Sequence, residues 1–68
     1  MELFSLRLRE LRKENKLSQA EMAKLLNIRQ QSYARYENNT SEPAYDMLVR
    51  ISKIFSVSCD YLLGNEDY

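Results

Sequence analysis

Histidine and tryptophan are absent from this 68-residue sequence, and cysteine, glycine and proline occur once each, as Cys59, Gly64 and Pro43. A lone cysteine excludes an internal disulfide, and without histidine the sequence lacks the ligands of an ordinary zinc site. Chains below about 70–80 residues that lack both kinds of cross-link depend on closely packed helices. Because helix breakers are rare and Leu, Lys, Arg and Glu are frequent, the sequence predicts an all-α fold with no metal and no cofactor.

Long hydrophobic runs are lacking too. No apolar stretch approaches the ~20 residues of a membrane span, and charge interrupts residues 1–7 before a signal-peptide core can form. Together with the single free thiol, this pattern is typical of a cytoplasmic protein. Catalysis is disfavoured, since there is no histidine and no evident pocket for paired carboxylates. We expect one domain over residues 1–68, no enzymatic activity and no small-molecule effector.

The charges balance overall but are unevenly distributed. Residues 1–40 hold eight Lys and Arg against five acids, whereas residues 41–68 hold two against five. This asymmetry indicates that the first part of the chain faces a polyanion. Chance scatter of surface charge would also produce a difference of this size, so charge alone does not decide the function.

Apolar residues at helical spacing divide the chain into five helices. Phe4, Leu8 and Leu11 recur at i, i+4 and i+7, which predicts a first helix over about 3–15 with one buried face. Leu3 and Leu6 lie off that face. The other helices are expected at about 18–27, 30–38, 44–55 and 58–63, and the tail 65–68 is expected to fray. Further packing residues are expected to be Met22, Ala23, Leu26, Ile28, Tyr33, Tyr36, Leu48, Ile51, Phe55 and Tyr61.

Residues 18–38 form two short helices joined by a sharp corner. Ser18 and Glu21 have the spacing of a capping box, which opens the first of them. Asn27 ends it, because asparagine tolerates a left-handed backbone better than most residues. A turn this brief between two helices is typical of a helix-turn-helix unit.

The second helix of this unit has one polar face that is free of acids. At about 100° per residue, Gln30, Gln31, Ala34 and Arg35 cluster within one sector. A glutamine amide can pair with adenine and an arginine with guanine in the major groove, and an alanine can touch a thymine methyl. An ordinary solvated face has the same composition, so this helix alone does not establish DNA binding.

Short motifs with a characteristic order and spacing cover nearly the whole chain. They are Arg7-Leu8-Arg9-Glu10-Leu11-Arg12, Leu17-Ser18-Gln19-Ala20-Glu21-Met22-Ala23, Ile28, Tyr36-Glu37-Asn38, Pro43, Leu48, Ile51 and Val57-Ser58-Cys59-Asp60-Tyr61-Leu62-Leu63-Gly64. Together they resemble the Cro/phage-repressor (Xre) family of helix-turn-helix regulators. The resemblance implies a compact five-helix, lambda-repressor-like domain. Its function would be sequence-specific binding of double-stranded DNA as a transcriptional regulator, more often a repressor, with the third helix in the major groove.

The resemblance also implies roles for individual residues. Positions that would contact bases are Gln30, Gln31, Arg35, Arg29 and Ala34. Positions that would contact phosphates, and so fix register without carrying sequence information, are Gln19, Ser18, Arg9, Ser32 and Asn38. Arg12 and Glu37 match a structural ion pair that joins the first helix to the end of the third.

Three residues depart from the family pattern. Asn27 replaces the usual glycine of the turn, which is slightly strained. Arg29 replaces a common helix cap, and the lost cap costs about 1 kcal/mol. Ala44 also replaces a common cap, for which Asp46 can substitute only in part through the helix dipole. Arg29 could instead reach a phosphate or a base.

The family resemblance predicts a homodimer on an inverted-repeat operator. Its half-sites would lie about 10 bp apart, and its interface would be around Ser58 to Leu63. The dimer would be weak without DNA. The protein would act in the cytoplasm of a bacterium, as part of the nucleoid or as a phage product.

An alternative is a protein-interaction module on the same fold, such as an antitoxin or an antagonist of another regulator. Such a module need not keep Gln19, Gln30, Gln31, Arg35 and Asn38 together, and this sequence has all five.

Overall fold

A computed structural model of the chain describes residues 2–65. The helices are α1 (Glu2–Glu14), α2 (Gln19–Leu26), α3 (Gln30–Glu37), α4 (Tyr45–Phe55) and α5 (Cys59–Leu63). The predicted all-α class and the five helices are confirmed. No helix end differs from its predicted position by more than one residue. Of the tail that was expected to fray, only Asn65 lies within the described residues. None of the helices in the described range is long and apolar enough to cross a membrane.

Helix α1 packs against α3 and α5, while α2 packs against α3 and α4. The predicted stripe of α1 is buried, with Phe4 at 1% and Leu8 at 0% exposure, whereas Leu3 and Leu6 lie beside it and are 40% and 50% exposed. The hydroxyl of Ser5 donates to the carbonyl of Tyr36 at 2.6 Å, which ties α1 to the end of α3. The rest of the core is formed by Leu11, Met22, Ala23, Leu26, Tyr33, Leu48, Ile51 and Leu62.

Both ends of α2 have the predicted chemistry, the capping box at its start and Asn27 at the corner before α3. The Ser18 hydroxyl accepts from the backbone N–H of Glu21 at 3.0 Å, and the Glu21 carboxylate accepts from the N–H of Ser18 at 2.8 Å. That backbone hydrogen bond lowers the pKa of Glu21. Asn27 adopts the left-handed conformation with φ 57°, which ends α2. Each end of α2 is therefore determined by residues within one turn of it.

Other left-handed residues were not predicted from the sequence. Lys16, Asn39 and Ser56 have φ of 58°, 61° and 54°, at the ends of α1, α3 and α4. Only asparagine among them tolerates this region readily, so Lys16 and Ser56 each carry about 1 kcal/mol of backbone strain relative to glycine. Each is followed by a residue whose N–H donates back to the helix, as from Leu17 to the carbonyl of Arg12 at 3.1 Å and from Val57 to that of Ser52 at 3.0 Å.

Helix α4 begins without a side-chain cap, as expected from Ala44. This residue has the extended backbone of an N-cap, φ −66° and ψ 163°, but no oxygen that could accept from the first turn. We expect Ala44→Ser to raise the free energy of unfolding by about 1 kcal/mol, because the new hydroxyl satisfies one such N–H. Urea denaturation measures the change.

Ser58→Ala is the matched control for this substitution. The Ser58 hydroxyl caps α5 by accepting from the N–H of Tyr61 at 2.9 Å, so its removal should lower the free energy of unfolding by a similar amount. Unchanged stability in Ala44→Ser would contradict the expectation.

Candidate nucleic-acid interface

Helix α3 presents the polar face that the sequence predicted. Gln30, Gln31, Ser32 and Arg35 are exposed, and Ala34 between them is half-buried. The helix contains one acid, Glu37, which is buried on the other side. The exposed face of α3 therefore offers amide, hydroxyl and guanidinium groups without a carboxylate.

Arg29 occupies the N-cap position of α3 and is exposed. Its backbone is extended, with φ −73° and ψ 147°, and its side chain makes no capping hydrogen bond. The predicted absence of a cap is thus confirmed. The guanidinium lies at the same end of the helix as Gln30 and Gln31, where it adds positive charge.

Two tyrosines fix the opposite side of α3. Tyr33 is fully buried and Tyr36 half-buried, and their rings meet edge to face with centroids 6.3 Å apart and an interplanar angle of 82°. Edge-to-face pairing of aromatic rings adds to the stabilisation that burial provides. The orientation of α3, and hence of its exposed face, is set by this packing.

Glu37 and Arg12 form a bidentate ion pair between α3 and α1. Arg12 Nε donates to Glu37 Oε2 at 2.6 Å and Nη2 donates to Oε1 at 3.1 Å. The third nitrogen, Nη1, donates to the carbonyl of Leu17 at 2.8 Å. The Glu37 side chain is 1% exposed and that of Arg12 is 12% exposed, so the guanidinium joins α1, its following loop and α3.

Two further donors complete the surroundings of Glu37. The Tyr33 hydroxyl donates to Oε2 at 2.5 Å, and Gln19 Nε2 donates to Oε1 at 3.1 Å. Among the described residues, no buried side-chain nitrogen or oxygen lacks a hydrogen-bond partner. A buried carboxylate is tolerated here because donors from α1, α2 and α3 surround it.

These contacts determine the charge states of the cluster. Burial by itself raises the pKa of Glu37, but hydrogen bonds from Arg12, Tyr33 and Gln19 outweigh it and bring the pKa below its usual value. The hydrogen bond to Glu37 raises the pKa of Arg12. Burial, and then Glu37, raise the pKa of Tyr33. At neutral pH the cluster therefore contains a carboxylate, a guanidinium and a neutral phenol.

Several of the predicted phosphate-binding residues lie close to this cluster. Arg9 Nη2 donates to the main-chain carbonyl of Glu37 at 3.1 Å while its side chain stays 43% exposed. Arg9 and Asn38 line one open cleft of about 400 Å³ between α1 and the end of α3. Gln19 stands at the first position of α2, next to its cap Ser18. The contacts of these residues with phosphate stay predictions.

The sequence did not predict that Tyr33 and Gln19 bind Glu37. Tyr33 was assigned only to packing and Gln19 only to phosphate. For Tyr33 a signal was present, because positions i and i+4 of one helix face each other. For Gln19 there was none, since it lies 18 residues from Glu37 in a different helix.

A family model described as helix-turn-helix matches residues 8–62, most of the chain. The chain belongs to the helix-turn-helix family, of the Cro/phage-repressor (Xre) type. This helix-turn-helix chain is 45% identical over 64 residues to YqaE of Bacillus subtilis, an uncharacterized HTH-type transcriptional regulator, with 94% of the chain and 55% of YqaE covered.

Two other relatives carry more specific names. The HTH-type transcriptional regulator ImmR of Bacillus subtilis is 38% identical over 61 residues, which are 90% of this chain and 48% of ImmR. The cryptic phage CTXphi transcriptional repressor RstR of Vibrio cholerae is 28% identical over 65 residues, 96% of this chain and 59% of RstR. The helix-turn-helix chain spans about half the length of the curated relatives it matches.

Proposed function

We propose that this helix-turn-helix protein binds double-stranded DNA sequence-specifically and regulates transcription, with α3 in the major groove. The observation that carries the proposal is the asymmetry of α3. Its exposed face holds the amides of Gln30 and Gln31 and the guanidinium of Arg35, while its one acid is buried and neutralised. An acid-free polar face on a helix that is fixed from behind suits a negatively charged groove.

Each predicted contact has a distinct chemical task. Gln30 and Gln31 offer a donor and an acceptor that match adenine, Arg35 and Arg29 offer paired donors that match guanine, and Ala34 offers a methyl that can touch thymine. Phosphate contacts from Gln19, Ser18, Arg9, Ser32 and Asn38 hold the helix in register. The N-terminus of α2 supports this, because the first N–H groups of a helix favour an anion.

The regulatory outcome that we propose is repression. A DNA-bound domain that covers its site blocks access of the polymerase without further machinery. RstR, one of the relatives, is named a repressor. The site of action would be the bacterial cytoplasm, where the protein binds the nucleoid as a host or phage product.

We also propose a homodimer on an inverted repeat, joined around Ser58 to Leu63. Leu63 is 39% exposed and Leu3 of α1 is 40% exposed. A β-carbon added at Gly64 would lie 2.6 Å from Leu3 Cδ2, so the end of α5 and Leu3 form one surface. Arg7 joins α1 to α5 near this surface, because its guanidinium lies 4.2 Å from the centroid of the Tyr61 ring. We propose that this dimer assembles mainly on DNA.

The experiment that tests the proposal selects binding sites from a random duplex library at near-physiological salt. We expect the wild-type protein to enrich an inverted repeat with half-sites about one turn, about 10 bp, apart. The Gln30→Ala/Arg35→Ala variant should lose the enrichment and bind the selected site at least about 30-fold more weakly, because two base contacts are removed.

Arg50→Ala is the control, since it removes the same charge from an exposed position on α4. It should retain both the selected sequence and most of the affinity. If the wild type enriches no sequence, or the double variant enriches the same one, base reading by α3 is wrong. The alternative of a protein-interaction module, such as an antitoxin or an antagonist, would then be favoured.

A further inference from the structure

The two oxygens of the buried Glu37 carboxylate face different groups. Oε2 accepts from Arg12 Nε and from the Tyr33 hydroxyl, both of which hold α3 to the core. Oε1 accepts from Gln19 Nε2 and from Arg12 Nη2, each at 3.1 Å, and lies 3.7 Å from Arg9 Nε. Gln19 and Arg9 are both predicted phosphate contacts, on different helices. Arg12 thus holds both oxygens, but only Oε1 also faces the side chains proposed to bind the DNA backbone.

The hydrogen bond to Glu37 dictates how the Gln19 amide is oriented. An ionised carboxylate can only accept, so the atom of Gln19 that faces Oε1 must be the nitrogen. That nitrogen carries two hydrogens, and the bond to Glu37 uses one of them. The second N–H remains for an acceptor outside the protein, and a phosphate oxygen is such an acceptor.

From this geometry we propose that Glu37 is a positioning residue for binding of the DNA backbone, because its carboxylate holds the Gln19 amide in the orientation that donates to a phosphate. The inference rests on the proposed DNA-binding function and assigns to Glu37 a role beyond its ion pair. A glutamine side chain that is already held in place loses less conformational entropy when DNA binds. Arg12 neutralises the carboxylate, so that it does not repel the phosphate.

Arg9 is held differently, which allows the role of Gln19 to be isolated. Its hydrogen bond goes to the main-chain carbonyl of Glu37, at 3.1 Å, and the 3.7 Å approach to Oε1 is too long for a hydrogen bond. A substitution of the Glu37 side chain leaves that carbonyl in place. An effect of the carboxylate on DNA binding should therefore pass through Gln19.

A double-mutant cycle between Glu37→Gln and Gln19→Ala tests this. Affinity is measured for a duplex of unrelated sequence at low salt, at a temperature where circular dichroism shows each variant folded. We expect each single variant to bind about tenfold more weakly, as for loss of a hydrogen bond to a charged group. The double variant should bind no more weakly than Gln19→Ala, because Glu37 acts through Gln19.

The sign of the Glu37→Gln effect separates positioning from simple electrostatics. Removal of a negative charge near a polyanion strengthens binding if only charge matters, whereas loss of positioning weakens it. Stronger binding of Glu37→Gln, or a double variant whose losses are additive, would overturn the inference and leave the proposed function standing. A wild-type protein that binds no duplex would overturn both.

Tyr33→Phe is the matched control, because it removes the donor to Oε2 and leaves Oε1 with Gln19. It should lower stability and keep the affinity of the folded protein within about twofold of the wild type, since no group at the DNA-facing oxygen changes. An equal loss of affinity in Tyr33→Phe would mean that any disturbance of the cluster weakens binding, which contradicts a specific role of the Glu37–Gln19 bond.

If Glu37→Gln does not fold, the wild-type protein provides the decisive measurement. Side-chain amide resonances of Gln19 should show slowed hydrogen exchange and a restricted orientation, in contrast to those of Gln30 and Gln31, which are exposed on α3. The three glutamines thus form an internal comparison. Gln19 resonances as mobile and as rapidly exchanging as the other two would overturn the inference.

Discussion

Arg12→Ala is expected to lower the free energy of unfolding by about 3–5 kcal/mol, because it leaves the Glu37 carboxylate buried without its cation. Glu37 is 3% exposed, so water cannot replace the two hydrogen bonds that Arg12 donates. A chain of this length has a total stability of about 3–10 kcal/mol. The variant should therefore lose a large part of the total stability, as measured by urea denaturation and circular dichroism.

A paired variant separates the loss of attraction from the burial of an unpaired charge. Arg12→Met/Glu37→Leu removes both charges and replaces them with apolar side chains, so it should be clearly more stable than Arg12→Ala. An Arg12→Ala variant that loses less than about 1 kcal/mol would show that the pair lies in a better-solvated environment than the structure indicates.

Acid should reduce the difference in the free energy of unfolding between the wild type and Arg12→Ala. The pKa of Glu37 is lower in the folded protein than its ordinary value of 4.5. Its stabilising contribution is therefore complete above that value and is lost as pH falls through the folded pKa. In Arg12→Ala the carboxylate has lost its cation, so protonation relieves its cost. The two stability curves should converge as pH falls below 4.5 and through the folded-state pKa of Glu37.

Leu8→Ala is expected to cost a similar amount for a different reason. Leu8 is fully buried at the centre of the α1 stripe, and truncation there removes apolar contacts and leaves a cavity. Such substitutions cost about 3–5 kcal/mol. For a domain of this size, each kcal/mol lowers the melting temperature by about 4–8 °C, so a drop of at least about 12 °C should be visible in a thermal melt.

Leu6→Ala is the control for Leu8→Ala within the same helix. Leu6 is 50% exposed, and it lies half a turn away from Leu8. Alanine has a higher helix propensity than leucine, so we expect a change of no more than about 0.5 kcal/mol. Similar losses in both variants would mean that Leu6 is covered in solution by a second molecule.

Local features were predicted well because their causes are local. The capping box of Ser18 and Glu21, the left-handed Asn27 and the uncapped Ala44 each depend on residues within one helical turn. The left-handed Lys16 and Ser56 were missed, because neither residue type favours that conformation. Their backbone closes the ends of α1 and α4 through main-chain hydrogen bonds, which do not depend on the side chain at the left-handed position.

Burial of the tyrosines was predicted only in part. Tyr33 is fully buried as expected, while Tyr36 and Tyr61 are half-buried and packed against the core. The half-exposure of Tyr61 accompanies the contact of its ring with Arg7. Helical spacing tells which side of a helix faces inward, but how deep a residue lies depends on the neighbouring helices.

By itself the sequence determined the helices, their order, the buried stripe of α1 and the polar, acid-free face of α3, since periodicity and capping express these directly. Only the tertiary structure decided that one carboxylate, Glu37, receives donors from three helices. The family resemblance implied only the pair of Glu37 with Arg12. Gln19 was assigned to phosphate and Tyr33 to packing, and nothing in the spacing of the three residues joins them all to Glu37. A hydrogen bond requires its donor and acceptor atoms to lie within about 3 Å of each other. Only the packing of α1, α2 and α3 against one another brings these atoms that close.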